Sequence, residues 1–282
     1  MATLPAGRSC GGLGVVSDAG PAAWASVIER SWIRYLGRPI GGLMLGLGLV
    51  LADMAFACEP ATLRLAIDVG HSPGAPGAIS ARGRPEHAFN VDVAEAIRER
   101  LVALGMEQVQ VLRLPGDRPA LRERAAAAAA MDAELFLSVH HDSVQPMFLE
   151  RWWPPDADGP MDMSRHAAGY SLFVSQQNVD PAASTRFARQ VALALQERGF
   201  ERTLHHAEPI PGESRQLLDP ALGIYRFDEL YVLRRTVMPA VLFEVGVIKH
   251  PEEEEMLLQP ATHAKVADAV AVAVQNYCQE VE

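Results

Sequence analysis

The sequence predicts a single α/β domain: a mixed, mostly parallel sheet with helices on both faces. Three observations carry that expectation. Apolar runs of strand length at Thr62 to Val69, Leu135 to Val139 and Pro239 to Val245 alternate with stretches of helical spacing, the pattern of βα units. Hydrophobic residues make up 49% of the 282 positions and charged ones 21%, enough apolar surface for a sheet covered on both sides. No internal repeat and no second domain of convincing size interrupts the alternation. Residues 58–282 are therefore read as one domain, with an excursion at about 145–169, and residues 1–57 as an N-terminal extension and signal segment.

Thr62 to Val69 suits a central strand, and the Pro- and Gly-punctuated stretch Gly70 to Gly77 must be a loop. Phe89, Val93, Ala94, Ile97, Leu101 and Leu104 recur at helical spacing, with Gly105 as a stop. A short strand, Val109 to Leu112, precedes an alanine-rich helix from Pro119 to Met131, and Leu135 to Val139 is the next strand. From Gln145 to Gly169 the pattern dissolves around Trp152-Trp153-Pro-Pro, and long excursions at strand ends often wall a cleft. Tyr170 to Ser175 returns as strand, Pro181 to Arg198 as amphipathic helix, and Leu204 to Gly223 reads as loop. After the strand at Pro239 to Val245, an acidic helix begins at Pro251 and a closing helix runs from about Ala261 to Tyr277.

The start of the chain reads as an export signal. Arg34 and Arg38 precede the apolar stretch Ile40 to Leu51, and Ala55-Phe-Ala57 offers an A-x-A cleavage site. That stretch is shorter than the roughly 20 residues a membrane span needs. Cleavage there leaves Cys58 and Cys278, near opposite ends of the mature chain. An exported protein could pair them, and two free thiols remain the equal alternative. A net charge of -10 with no basic stripe excludes a nucleic-acid partner.

Four residues carry the chemistry. His71, His140 and Glu244 each end or interrupt an apolar strand, and Glu86 opens a helix. Open α/β sheets place their chemistry beyond the carboxyl ends of their strands. A His₂Glu set is a standard catalytic zinc site with a fourth position open to water, whose pKa the metal lowers to about 7. A separate carboxylate then moves the water's proton to the leaving nitrogen. His71, Glu86 and His140 supply the ligands and Glu244 the base. Each has a plainer reading alone: His71 as a loop hydrogen-bonder, Glu86 as a helix-dipole partner, and His140 as the loser of a competition with His141 for one face of a strand. Glu244 is the strongest signal, because a carboxylate within Ala, Val, Leu and Phe is costly unless paired or functional.

These segments resemble the zinc-dependent N-acetylmuramoyl-L-alanine amidases of the amidase 3 family. The matching stretches are Leu65-Ala-Ile-Asp-Val-Gly-His71 with Gly77, Glu86 before the helix containing Asn90, Leu121-Arg-Glu-Arg124, Leu135-Phe-Leu-Ser-Val-His140 and Pro239-Ala-Val-Leu-Phe-Glu-Val-Gly246. The resemblance implies one zinc ion per chain on His71, Glu86 and His140, a catalytic Glu244, and cleavage of the amide between the muramyl group and L-alanine in peptidoglycan. It also implies a periplasmic or cell-envelope address. The chain departs from the family after His71 (Ser-Pro-Gly), after His140 (His141-Asp142) and at Val247 to His250. Those departures and the long excursion at 145–169 keep a zinc peptidase or deacylase of another envelope amide as a rival reading; a non-catalytic wall-binding protein of the same fold is a third, against which the intact ligand positions and Glu244 argue. A monomer is expected, and the sequence identifies no protein activator. Arg234, Arg235 and Trp152 are candidate substrate contacts, against the plainer readings of solvated arginines and a loop packing on its own domain. Glu252 to Glu255 reads as a solvated helix start. His205-His206 is discounted as a second metal site because its loop supplies no matching carboxylates.

Overall fold

The computed structural model describes residues 58–280 apart from Pro115 and Asp156; the expected N-terminal extension and signal segment, residues 1–57, lie outside the described residues. The first half alternates β1 (Leu65–Val69), α1 (Glu86–Ala103), β2 (Val109–Val111), α2 (Leu121–Ala130) and β3 (Leu135–Asp142). The excursion after β3 folds as a two-stranded antiparallel hairpin, β4 (Glu150–Trp152) and β5 (Met161–Met163). The second half comprises β6 (Ser171–Val174), α3 (Pro181–Glu197), β7 (Leu217–Asp219), β8 (Ile224–Arg226), α4 (Tyr231–Arg235), β9 (Ala240–Val247), α5 (Pro251–Leu257) and α6 (Pro260–Gln279).

Seven strands form one sheet in the order β2-β1-β3-β9-β6-β8-β7. The segment from β2 to β9 is parallel, β6 runs antiparallel to β9, and the β7–β8 hairpin closes the edge, so the sheet is mixed as expected. Successive strand side chains point to opposite faces, and here the alternation sorts them into two cores. Leu65, Ile67, Leu135, Leu137, Val139, Val241 and Phe243 pack with α1, α3 and α6. Ala66, Phe136, Phe173, Ala240 and Leu242 pack with Ala128 of α2 and with Val232 and Leu233 of α4.

Cys58 and Cys278 form a disulfide across 220 residues of sequence, which decides between the paired and free readings. Among the described residues no helix is long and apolar enough to cross a membrane. Two expectations need correction. The stretch at 204–223 is not all loop, because Leu217–Asp219 pairs with β8 and extends the sheet. The acidic run is not wholly solvated: Glu253 and Glu254 are buried, while Glu252 and Glu255 remain exposed. Glu253 accepts the backbone N–H groups of Gly169 and Val247, and Glu254 meets Ser80 and Arg82. α5 thus lays one side of its first turn against the sheet end, so those two carboxylates serve as docking groups.

Candidate active site

β1, β3 and β9 lie side by side: His71 follows the end of β1 by two residues, His140 lies near the end of β3, and Glu244 sits within β9. β3 and β9 are in register with His140 opposite Glu244, on the face that carries Phe136 and Leu242. That parity settles the competition at the end of β3. His141 points to the opposite face, fully buried against Phe89, where its Nδ1 lies 2.7 Å from Asn90 Oδ1. Burial pushes the His141 imidazole down to about 3, so it stays neutral.

Glu86, at the first position of α1, is buried with its two oxygens split between two imidazoles. Its Oε2 is 2.9 Å from His71 Nε2 and its Oε1 is 3.0 Å from His140 Nδ1. The N–H of Ala78 donates to Oε2, while Asn90 Nδ2 and the N–H of His141 donate to Oε1. Burial alone would raise this carboxyl, but the hydrogen bonds and charge of His140 and His71 outweigh it and hold the group well below its usual range. The donor atoms of His71, Glu86 and His140 all lie within 4.8 Å of one another.

The loop between β1 and α1 is shaped around this trio. His71 has a positive φ of 63°, a sparsely populated conformation for a non-glycine residue and a recurrent mark of functional sites. Gly77 also has a positive φ, and a Cβ there would sit 2.4 Å from Glu86 Oε2 and 2.6 Å from the His71 ring. A Cβ on Gly70 would collide with the His140 ring at 2.5 Å. Beneath the loop, the buried Arg124 of α2 pairs with Asp68 at 2.7 Å and donates to the carbonyls of Val69 and His71, while Ser138 donates to Asp68 at 2.7 Å. This support was not singled out in the sequence, although Arg124 lies in a matching stretch; only the fold shows that its partner is Asp68.

In front of the trio opens a cavity of about 380 Å³ lined by His71, His140, Asp142, His206, Arg215 and Glu244, with Phe173, Phe227 and Leu242 as apolar wall. Glu244 lines it with Oε2 out of solvent and without a hydrogen-bond partner. Burial, followed by the nearby Asp142 and Glu86 carboxylates, raises its pKa well above the ordinary value. A carboxylate so placed has a heightened affinity for a proton, the property a base needs to take one from water. Three nitrogen and oxygen donors with a cavity on one side match the donor chemistry of a hydrolytic zinc site.

The other expected contacts fall elsewhere. Arg234 and Arg235 end α4 and neither lines the cavity; the cavity's arginine is Arg215, stacked over Phe227 at 3.8 Å. Trp152 packs back on its own domain, with its Nε1 donating to the Ala81 carbonyl and Arg82 over its ring. The excursion still reaches the cavity through Gln145, which donates to Glu213 at 2.6 Å. His205-His206 also needs correction. The carboxylates judged missing are present: Asp142, delivered from the end of β3, lies 2.7 Å from His206 Nε2, and Glu213 lies 2.8 Å from His206 Nδ1. Burial works against charge on His206, but these two carboxylates prevail and raise it to about 9.

Residues 65–276 match the family model described as N-acetylmuramoyl-L-alanine amidase. Among curated proteins, the chain is 26% identical to the uncharacterized protein YqiI of Bacillus subtilis, over 87% of this chain and 98% of that one. It is 27% identical to N-acetylmuramoyl-L-alanine amidase AmiC of Neisseria meningitidis, over 75% of this chain but only 51% of that longer protein. Among solved structures, the amidase Ami1 of Mycobacterium smegmatis shares the fold, with a TM-score of 0.60 at 21% identity over 79% of this chain and 99% of that one. The amidase of Clostridium difficile 630 does likewise, with a TM-score of 0.59 at 19% identity over 79% of this chain and 100% of that one.

Proposed function

The chain belongs to the N-acetylmuramoyl-L-alanine amidase family, and on that premise we propose that it hydrolyses the amide between N-acetylmuramoyl and L-alanine in peptidoglycan, with zinc held by His71, Glu86 and His140 and with Glu244 as the proton-transfer residue. The observation that carries this reading is the convergence of the three donors beside a cavity that Glu244 also lines, with its Oε2 out of solvent and without a hydrogen-bond partner.

The metal would supply Lewis acidity toward the scissile carbonyl and the attacking water. The chain's own groups do the rest. Glu244, raised by burial, takes a proton from the attacking water and returns it to the departing L-alanine nitrogen. Arg124 and Asp68 hold the His71 loop in place, so the trio is fixed before substrate arrives. Phe173, Phe227 and Leu242 exclude water from one side of the cleft, and Arg215 presents the cavity wall's guanidinium to a carboxylate of the stem peptide.

Export to the periplasm or cell envelope is part of the same proposal. The Cys58–Cys278 disulfide supports it, since such bonds persist in oxidising compartments.

The test is product analysis on intact peptidoglycan. Free stem peptides together with peptide-free glycan, lost on chelation and restored by zinc, are the expected result. Trimmed peptides still attached to sugar would overturn the assigned bond.

A further inference from the structure

A second group of metal-type donors stands in the wall of the same cleft. Asp142 comes from the end of β3; His205 and His206 come from a short helical turn, Pro-rich on its far side, between α3 and β7. All three are buried. Both imidazoles turn their Nε2 atoms toward one oxygen, Asp142 Oδ2, at 3.5 Å from His205 and 2.7 Å from His206. The rings lie against each other with centroids 3.9 Å apart, so the two nitrogens converge from adjacent directions.

The opposite edge of each ring is tied down. His206 Nδ1 faces Glu213 Oε2 at 2.8 Å, and Glu213 is itself fixed by Gln145. His205 Nδ1 faces the buried hydroxyl of Thr203 at 2.8 Å. An outer partner on one ring nitrogen, leaving the other aimed inward, is the arrangement that orients histidine ligands around a metal.

The alternative is a hydrogen-bonded ion pair, with protonated His206 lying between Asp142 and Glu213. That arrangement accounts for two of the three groups and leaves the third unexplained. His205 Nε2 is out of solvent and makes no hydrogen bond, although its side chain is only 5% exposed. Leaving a buried nitrogen without a hydrogen bond is costly, and a cation shared with Asp142 would satisfy it.

We propose that Asp142, His205 and His206 hold a second divalent metal ion, zinc by the character of its donors, beside the first site. Two imidazoles and a carboxylate form a borderline nitrogen–oxygen set suited to zinc and leave a fourth position open. Asp142 and His206 both line the cavity that holds His71, His140 and Glu244, so that position faces the substrate cleft. The inference stands on its own donors and does not depend on the first site's assignment.

Metal counting on the full purified chain, equilibrated with one equivalent of zinc beyond saturation and then desalted, tests it. The wild type should retain two zinc ions per chain. His205→Ala and His71→Ala should each retain one, and the double variant none. One zinc per chain in the wild type, unchanged in His205→Ala, would overturn the second site and leave the first standing. Should His205→Ala fail to fold, anomalous diffraction at the zinc edge from wild-type crystals decides the matter. A peak beside Asp142 Oδ2 supports the site, and its absence from zinc-saturated crystals that show the first site refutes it.

Discussion

Removing the bond between Cys58 and Cys278 should cost this domain a large part of its stability while leaving its architecture intact. The cross-link spans 220 residues, nearly the whole described domain, and ties the segment before β1 to the end of α6. Loop-closure entropy for a ring of that length gives about 5 kcal/mol at 25 °C, an upper figure because it neglects structure in the unfolded chain. Whole domains are stable by only about 5–15 kcal/mol, so the effect should be conspicuous. With a guanidinium m-value of about 5 kcal/mol/M, the unfolding midpoint should fall by about 1 M. Cys58→Ala isolates the cross-link, because Cys58 is only half-buried; Cys278→Ala also empties a buried site and should cost slightly more. The assay is equilibrium unfolding by circular dichroism, with and without reductant. Reductant should destabilise the wild type and leave either variant unchanged. A reduced wild type that unfolds at the oxidised midpoint would refute the reasoning.

Three further outcomes follow from the site and its supports. Glu244→Gln should lower kcat by about 10²–10⁴-fold while metal content, read by atomic emission, stays at the wild-type level; loss of metal would show Glu244 to be a ligand instead. Gly77→Ala should lose metal affinity by at least about tenfold, since its Cβ would meet Glu86 and His71 at a positive φ; unchanged affinity in a zinc titration would contradict the crowding described. The third concerns Glu253, which burial raises to about 7 in the folded protein. A raised carboxyl contributes stability that is fully present below its unfolded value near 4.5 and is lost as pH rises through about 7. Urea midpoints of the wild type should decline across that window more steeply than those of Glu253→Gln, in which Glu244 still titrates; parallel profiles would remove Glu253 as a titrating group.

Much of the fold was legible because strands buried on both faces read as continuous apolar runs, and helices keep a 3.6-residue period. Leu65 to Val69, Leu135 to Val139 and Ala240 to Val245 could hardly be anything but central strands. The edge was less legible. β7 and β8 have three residues each, and no period can be recognised over so short a span. The excursion after β3 concealed its hairpin for the same reason.

Sequence by itself picked out the four candidate positions: a carboxylate such as Glu244 within an apolar strand needs a reason, and a histidine at a strand's carboxyl end lies where open α/β sheets place their sites. Tertiary structure alone decided what depends on distant residues meeting. The register of β3 against β9 placed His140 opposite Glu244 and sent His141 into the core beside Asn90. The disulfide depended on where Cys58 and Cys278 lie relative to each other, which composition does not encode. The Asp142, His205 and His206 cluster draws its members from positions more than sixty residues apart, so the adjacent histidines looked unpartnered until β3 brought them their carboxylate. Burial completes the distinction. A run of four glutamates looks uniform in sequence, yet Glu253 and Glu254 face the sheet end while Glu252 and Glu255 face water, because only packing gives a helix an inside.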